Sequence, residues 1–361
     1  MTWRDDRHLT LLHDSRSAFS SGALRGGSLG RKPNCVFLRP RPNREACYES
    51  PGIQAALPFN ELLLSWNMDV PPGAAAFLEV SVGRQSAIRS SPWLRVGDWG
   101  ATPVKPTPTL RFAHGRVDVD IFRSNQQFDT FRYRLRAVAT GPNPVEVRVR
   151  RVAACYSDTL GRPSSARPLR ADHRQRPAGR SHVRRLPVPF RSQRAVGGDL
   201  ADRLCSPTSL AMVLEYHGVK RATLDVARRC HDPIHDIYGN WVRNAQAAAS
   251  LGVGGYLTRF SDWPPVERLI ADGLPVIASI RFSRPRLIRA APYRTTRGHL
   301  LVICGFDAKG NVEICDPAVT DPALGGRLKY PRTELEQAWF GGSGGVAYVL
   351  LPNPRPRNRA R

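Results

Sequence analysis

The chain lacks any apolar run of about 18 residues, the length that a transmembrane helix requires. Its first thirty residues, which begin MTWRDDRHLT, contain no apolar stretch of the kind found in a secretory signal peptide. We therefore expect no membrane span and a cytoplasmic protein.

Lysine is scarce as well. The formal net charge is +24, with 54 lysines and arginines against 30 acidic residues, and arginine supplies nearly all of the positive charge. Much of it falls in residues 160–185 and in the terminal stretch PNPRPRNRAR. Such a chain-wide preference for arginine can reflect coding composition, and no nucleic-acid-binding module is recognisable. We expect nonspecific attraction to polyanions and no specific nucleic acid partner.

None of the seven cysteines belongs to a CxxC pair, which argues against a zinc ribbon and a thioredoxin-like site. Cys304 and Cys315 lie in apolar, strand-like runs, where buried and inert thiols are common. Cys35 and Cys47 could form a disulfide in an exported protein, and the sequence leaves this open.

The stretch CHDPIHDIYG brings His231, Asp232, His235 and Asp236 close together, as in some metal sites. Pro233 prevents a regular helix that would place the two histidines on one face. We therefore predict no metal and no other cofactor.

The length of 361 residues favours two domains. Residues 1–35 are polar and rich in Ser, Gly and Arg, and we expect them to be disordered. Residues 36–157 should form the first domain and residues 186–352 the second. A basic, Pro/Ser-rich linker at 158–185 separates the two domains, and 353–361 should be a disordered basic tail.

The first domain shows the alternation of apolar and polar residues that is typical of strands. VEVRVRRV alternates almost throughout, which predicts one buried face and one arginine-bearing face. Several such runs without a helical pattern predict a β-sandwich-like domain. Trp66, Trp93 and Trp99 should pack in its core. Exposed tryptophans would instead indicate a glycan-binding surface, and the domain could bind a glycan or a protein.

The second domain opens with helical runs, among them CSPTSLAMVLEYHG and ATLDVARRCHD, and continues with strands such as GHLLVICGF and GVAYVLLP. Helices followed by an antiparallel sheet predict an α+β fold. In the first helix, 206–217, Pro207 suits the first turn, and Leu210 and Leu214 begin a buried stripe. Cys205 therefore lies at a helix N-terminus, where free N–H groups and the helix dipole favour a thiolate.

A base and its partner follow later in the chain. His299 begins a strand, and the tight turn DAKG should return the chain so that Asp316 lies near the imidazole. The carboxylate would accept the Nδ1–H group and leave Nε2 to take the thiol proton. Gln193, shortly before the nucleophile, could donate to an oxyanion together with the Cys205 backbone N–H. This constellation predicts a thiol hydrolase.

Five stretches in order, LPVPFRSQ, LCSPTSLAMVLEYHG, YGNW, RGHLLVICGFDAKGNVEICDPA and GVAYVLLP, resemble the peptidase C39-like family over about 183–352. The resemblance implies a papain-like cysteine peptidase fold, with Cys205 as nucleophile, His299 as general base, Asp316 as its orienting group and Gln193 as oxyanion donor. Relatives that cut bacteriocin leaders after a double glycine are fused to a transporter. This sequence has neither transmembrane segments nor a GxxxxGK[ST] motif.

The stretch YGNWVRNAQAA also resembles stand-alone relatives, which implies that Tyr238, Asn240 and Trp241 line a substrate cleft. The alternative is a helix cap, for which asparagine is well suited, followed by a core tryptophan. Three functions stay open at this point. They are hydrolysis of a peptide or other amide, acyl transfer by the same triad, and non-enzymatic binding by an inactive papain-like domain.

Overall fold

The computed structural model describes residues 3–4, 7–30, 35–86, 90–101, 111–160 and 184–352. Most of the predicted linker (161–183) and the predicted basic tail (353–361) lie outside these residues. Within the described ranges, no helix is long and apolar enough to cross a membrane.

The N-terminal domain is built from strands and one short helix, α1 (Arg16–Ser20). Its strands are β1 (Trp3–Arg4), β2 (His8–His13), β3 (Ala23–Arg25), β4 (Gly27–Leu29), β5 (Val36–Leu38), β6 (Ala46–Glu49), β7 (Ile53–Asp69), β8 (Ala74–Gly83), β9 (Leu94–Gly100), β10 (Arg111–Phe112), β11 (Gly115–Asp118), β12 (Ile121–Ala139) and β13 (Val147–Ser157). The prediction of an all-β domain is confirmed. Strands β7 and β12 are long enough to pair with several partners, so the strands form one continuous hydrogen-bonded network.

The prediction that residues 1–35 are disordered is not what the structure shows. Strand β2 pairs with the second half of β13, and β3 and β4 extend the network through β6 and β5. Leu9 and Phe19 are buried. The polar composition does not reveal these few buried apolar residues. The strands of this segment pair with sheet edges that would otherwise present unpaired backbone groups.

The tryptophans of this domain serve its packing. Trp66 and Trp99 are buried, and Trp93 lies beneath the guanidinium groups of Arg132 and Arg134. A Cβ atom on Gly97 would lie 2.0 Å from the Trp66 ring, so only glycine fits there. Cys35 and Cys47 are buried free thiols.

The C-terminal domain has the predicted α+β fold: most of its first half is helical, and an antiparallel sheet follows with further helices between its strands. Its helices are the 3₁₀ turns Gln193–Val196 and Asp199–Arg203, then α2 (Cys205–Tyr216), α3 (Thr223–Cys230), α4 (Trp241–Ser250), α5 (Pro264–Ala271), α6 (Pro322–Gly325), α7 (Arg332–Glu336) and the π-helical turn Gln337–Gly341. Its strands are β14 (Arg184–Arg185), β15 (Gly254–Arg259), β16 (Val276–Phe282), β17 (Thr296–Phe306), β18 (Val312–Cys315), β19 (Leu328–Tyr330) and β20 (Val346–Leu351).

The sheet runs in the order β15-β20-β16-β17-β18-β19, and β14 pairs with β17. The last two residues of the predicted linker are thus a strand of this domain. Residues 206–214 of α2 are all buried, because the helix packs against β17 and between its neighbours α3 and α4. This packing fixes the helix N-terminus relative to the strand that carries His299.

The two domains share a buried polar interface. The Gln246 side chain exchanges two hydrogen bonds with the Met68 backbone, at 2.9 and 2.7 Å. The Asn67 side chain does the same with the Gly255 backbone. Strand β13 alternates between buried and exposed residues only at its start, because β2 and the C-terminal domain cover the rest. The N-terminal domain is therefore part of the surroundings of the candidate site.

Candidate active site

Cys205 is the first residue of α2, one position earlier than the predicted helix began, and its side chain is partly exposed. The N–H groups in the first turn of a helix have no partners within the helix, and they favour negative charge at this position. Burial alone would raise the pKa of the Cys205 thiol. The hydrogen bond from His299 and the charge of that ring outweigh burial and lower the pKa below its ordinary value.

His299 lies in β17 and is buried, and Asp316 follows directly after β18. The turn at residues 307–310 joins these strands as predicted and brings the two side chains together. The His299 Nε2 atom lies 2.7 Å from Asp316 Oδ1. Burial would lower the pKa of His299, but the Asp316 charge outweighs it and raises that pKa to about 10.

The roles predicted for the two ring nitrogens are reversed. Because Nε2 bonds to Asp316, Nδ1 is left to face the thiol. The ring nitrogen that meets Asp316 depends on the direction in which the His299 side chain leaves β17, which the sequence pattern does not specify.

Asp316 is fully buried and holds several groups of the site. Its Oδ2 atom accepts hydrogen bonds from the Tyr293 hydroxyl at 2.7 Å and the Tyr330 hydroxyl at 2.8 Å. Its Oδ1 atom also accepts the Ala318 N–H at 2.9 Å. Burial would raise the pKa of Asp316, but the His299 charge and these donors lower it, so the carboxylate stays ionised. The Tyr293 ring also covers the imidazole, at 4.8 Å between ring centroids.

Two further contacts tie α2 to its surroundings. The Ser209 hydroxyl donates to the Leu300 carbonyl at 3.1 Å, one residue after His299. The Asn244 amide, on α4, donates to the hydroxyl of Ser206, the residue after Cys205. Ser209, Asn244 and the two tyrosines were not predicted. Their partners are distant in sequence, and no local pattern marks them.

Gln193 connects the segments before Cys205 and after Asp316. It is buried, its backbone N–H donates to the Pro317 carbonyl, and its side-chain Nε2 donates to the Ala201 carbonyl, each at 2.8 Å. Ala201 belongs to the 3₁₀ turn that leads directly into α2. Among the described residues, the Gln193 Oε1 atom has no hydrogen-bond partner.

Tyr238, Asn240 and Trp241 differ in their surroundings. The Tyr238 ring packs against His231 and beneath the Arg203 guanidinium. Asn240 is buried, and its Oδ1 atom caps α4 by accepting the Arg243 N–H, as the alternative interpretation predicted. Trp241 is partly buried and lines a cavity beside Gly298, the residue before His299.

The Asn240 amide also donates to two carboxylates, Asp120 at 2.7 Å and Asp232 at 2.8 Å. Asp120 comes from the N-terminal domain, in the two-residue turn between β11 and β12, where Val119 and Asp120 have positive φ. His235 pairs with Asp232 at 2.8 Å, and His231 with Asp236 at 3.0 Å. The described residues contain no group of three or more side chains arranged to hold a metal ion.

Asp120→Asn is expected to stabilise the protein at neutral pH. Burial raises the pKa of Asp120 from 3.8 to about 6, despite the hydrogen bond from Asn240. A carboxyl whose pKa rises on folding destabilises the fold as pH increases from its unfolded to its folded pKa, so the benefit should grow from about pH 4 to about pH 6 and approach about 3 kcal/mol. Urea unfolding at several pH values measures it. A variant that is no more stable than wild type at neutral pH would contradict this account.

Comparison with known families supports a cysteine-peptidase-like domain. Residues 185–344 match the model of the peptidase C39 like family, and residues 39–157 match that of the peptidase C39 N-terminal domain. Over residues 185–344 the C-terminal domain is similar to the peptidase C39-like family. No curated protein matches the chain.

Two solved structures are similar to about half of the chain. One is a double glycine motif protease from an AMS/PCAT transporter, in complex with the leader peptide. It is 23% identical, covers 47% of this chain and 94% of its own, and has a TM-score of 0.33. The other is a putative C39-like peptidase from Bacillus anthracis, with 21% identity, 48% and 100% coverage, and a TM-score of 0.36.

Proposed function

We propose that this protein is a thiol hydrolase that cleaves a peptide or other amide bond with Cys205, His299 and Asp316. One observation carries the proposal. A cysteine with a lowered pKa lies at the N-terminus of a buried helix, hydrogen-bonded to a histidine whose other ring nitrogen is 2.7 Å from a buried carboxylate. Such a combination activates a thiol as a nucleophile.

The reaction follows from these positions. The Cys205 thiolate attacks the carbonyl carbon, and the C=O electron pair moves onto oxygen. When the tetrahedral intermediate collapses, the C–N bond breaks and the His299 imidazolium gives its Nδ1 proton to the leaving amine. Water then attacks the thioester while Nδ1 takes its proton, the C–S bond breaks to return the Cys205 thiolate, and the carboxylic acid leaves. Asp316 keeps the ring oriented and stabilises its positive charge.

Gln193 is the candidate donor to the oxyanion, together with the Cys205 backbone N–H. One N–H of its amide is used at the Ala201 carbonyl, which holds the side chain beside the segment leading into α2. The second N–H is available to a substrate oxygen. Prepositioned donors of this kind stabilise the developing charge without reorganisation. Tyr238 and Trp241 are candidates for contact with the substrate.

The rate of cleavage is expected to follow a bell-shaped pH profile. Activity should rise as the thiol ionises, below the ordinary thiol pKa because His299 lowers it. It should fall again near about pH 10, where His299 loses the proton that the leaving amine needs. The two limbs belong to the coupled pair of groups. Initial rates across this range measure the profile, and activity that only increases with pH would disagree with an ion pair.

Peptide digestion tests the proposed function. The wild-type protein is incubated with a peptide mixture, with and without hydroxylamine, and the products are identified by mass spectrometry. We expect new carboxyl termini in water and hydroxamates at the same sites when hydroxylamine competes for the acyl-enzyme. Cys205→Ala should abolish both. Cys35→Ala is the matched control, because burial raises the pKa of that thiol and it lies in the other domain.

The same digestion separates hydrolysis from acyl transfer. If water gives no product and added amines give conjugates at a Cys205-dependent rate, the triad performs transfer. Cleavage that persists in Cys205→Ala would overturn the proposed nucleophile. Absence of any product, together with a Cys205 thiol of ordinary reactivity, would favour the binding function.

A further inference from the structure

A cavity of about 280 Å³ lies beside His299, and both domains contribute to its wall. The N-terminal domain supplies two side chains, and the C-terminal domain supplies a tryptophan and three arginines together with short main-chain segments. The side chains that matter here are Glu61, Arg123, Trp241, Arg259, Arg281 and Arg297.

The cavity borders both catalytic segments. Gly298, in its wall, directly precedes His299. Trp241, also in its wall, begins α4, and one turn later Asn244 donates to Ser206, the residue after the nucleophile. A substrate held between Cys205 and His299 would therefore place a neighbouring group in this cavity.

The charges of the wall are unbalanced, since four arginines face one glutamate. Glu61 lies 3.2 Å from Arg123 and 2.5 Å from Arg259. Arg281 and Arg297 are exposed and form no ion pair with a carboxylate in the described parts of the chain. Arg281 is instead oriented by the hydrogen bond from its Nε atom to the Gly342 carbonyl, at 3.1 Å.

A second observation points to a missing acceptor. Arg259 is buried, and its Nε–H group has no hydrogen-bond partner among the described residues. A buried, unpaired donor on a charged group is unfavourable, and a bound acceptor would remove that cost. Planar guanidinium groups are suited to carboxylates, which they can bind through two parallel hydrogen bonds.

We propose that this cavity is a specificity pocket that binds a substrate carboxylate within two residues of the cleaved bond. The inference rests on the proposed function and names the class of substrate. Arg281 and Arg297 meet the carboxylate at the rim, and Arg259 lies deeper, held by Glu61 of the N-terminal domain. That domain therefore takes part in substrate selection.

Cleavage-site profiling tests the pocket. The full chain digests a proteome-derived peptide mixture, and the residues on both sides of each cleaved bond are counted. We expect Asp and Glu to be enriched about tenfold or more at one position within two residues of the bond, the size of effect that charged hydrogen bonds give. Arg281→Glu/Arg297→Glu should remove this preference and select Lys and Arg instead. Arg284→Glu, an exposed arginine outside the cavity, should leave it unchanged.

The carboxylate could also be the C-terminus of the substrate. Amidating the C-termini of the mixture distinguishes the two sources, since it abolishes binding of a terminal carboxylate and spares an acidic side chain. The proposed pocket would be rejected if cleavage showed no preference for an acidic residue or a C-terminus. It would also be rejected if such a preference survived the double charge reversal. Either result would leave the proposed hydrolase function intact.

Iodoacetamide separates failure of the pocket from failure of the proposed function, because this small neutral reagent does not need the cavity. If Cys205 reacts rapidly in wild type and in Arg281→Glu/Arg297→Glu, the activated thiol and the fold are intact. Any change in the cleavage-site profile then reports on the pocket alone. If Cys205 is alkylated rapidly but no peptide is cleaved, both the proposed pocket and the proposed peptide substrate are rejected. If Cys205 shows ordinary reactivity, the proposed function fails first.

Discussion

His299→Ala is expected to lower the rate of peptide cleavage by about a thousandfold or more, without unfolding the protein. In the proposed mechanism, the variant removes both the base that takes the thiol proton and the acid that protonates the leaving amine. It also removes the hydrogen bond and the charge that lower the pKa of Cys205, so burial should raise that pKa. Initial rates on a peptide cleaved by wild type measure the loss.

Deleting His299 leaves the buried Asp316 carboxylate without its positive partner and should cost stability, but the carboxylate keeps the donors Tyr293, Tyr330 and Ala318, so the variant should still fold. His114→Ala is the matched control. His114 is exposed and lies in the N-terminal domain, so its loss should leave the rate unchanged. A His299→Ala protein that is folded and cleaves within about tenfold of wild type would remove His299 from the mechanism.

Asp316→Ala is expected to affect both stability and activity. Removing the carboxylate leaves the two buried tyrosine hydroxyls and the His299 Nε2–H group without their acceptor. Breaking a buried charged network by deleting one member costs about 3–5 kcal/mol. The unoriented imidazole should also slow cleavage by about a hundredfold or more. Urea unfolding and initial rates measure the two effects.

Asp316→Asn separates the two effects. The amide oxygen can still accept hydrogen bonds, so most of the stability should return. The negative charge that raises the pKa of His299 to about 10 is lost, and the alkaline limb of the pH profile should move to lower pH. If Asp316→Ala unfolded at the urea concentration of wild type, Asp316 would not be the group that holds the site together.

The parts of the site that the sequence predicted are those with local signals. Cys205 precedes a helical stripe, and the turn at 307–310 fixes His299 and Asp316 as neighbours, so residue type and spacing are informative. The choice of ring nitrogen was predicted wrongly, because it depends on the direction of the side chain within the sheet. That direction is a property of the packed structure.

The parts that could not be predicted depend on contacts between distant segments. Tyr293 and Tyr330 meet at Asp316 only after the sheet has formed, and Asp120 reaches Asn240 from another domain. The segment 1–35 looked disordered because its composition is polar, yet Leu9 and Phe19 anchor it to the core. A few buried contacts determine whether such a segment is ordered. The overall composition does not reveal them, because most of its residues are polar.

The rate of Cys205 alkylation as a function of pH, measured by peptide mapping in wild type and in His299→Ala, tests directly whether Cys205 and His299 form an activated pair. We predict that Cys205 reacts well below about pH 8.5, the ordinary thiol pKa, and that His299→Ala loses this reactivity. A Cys205 thiol that titrates like an ordinary or buried thiol in both proteins would contradict the account.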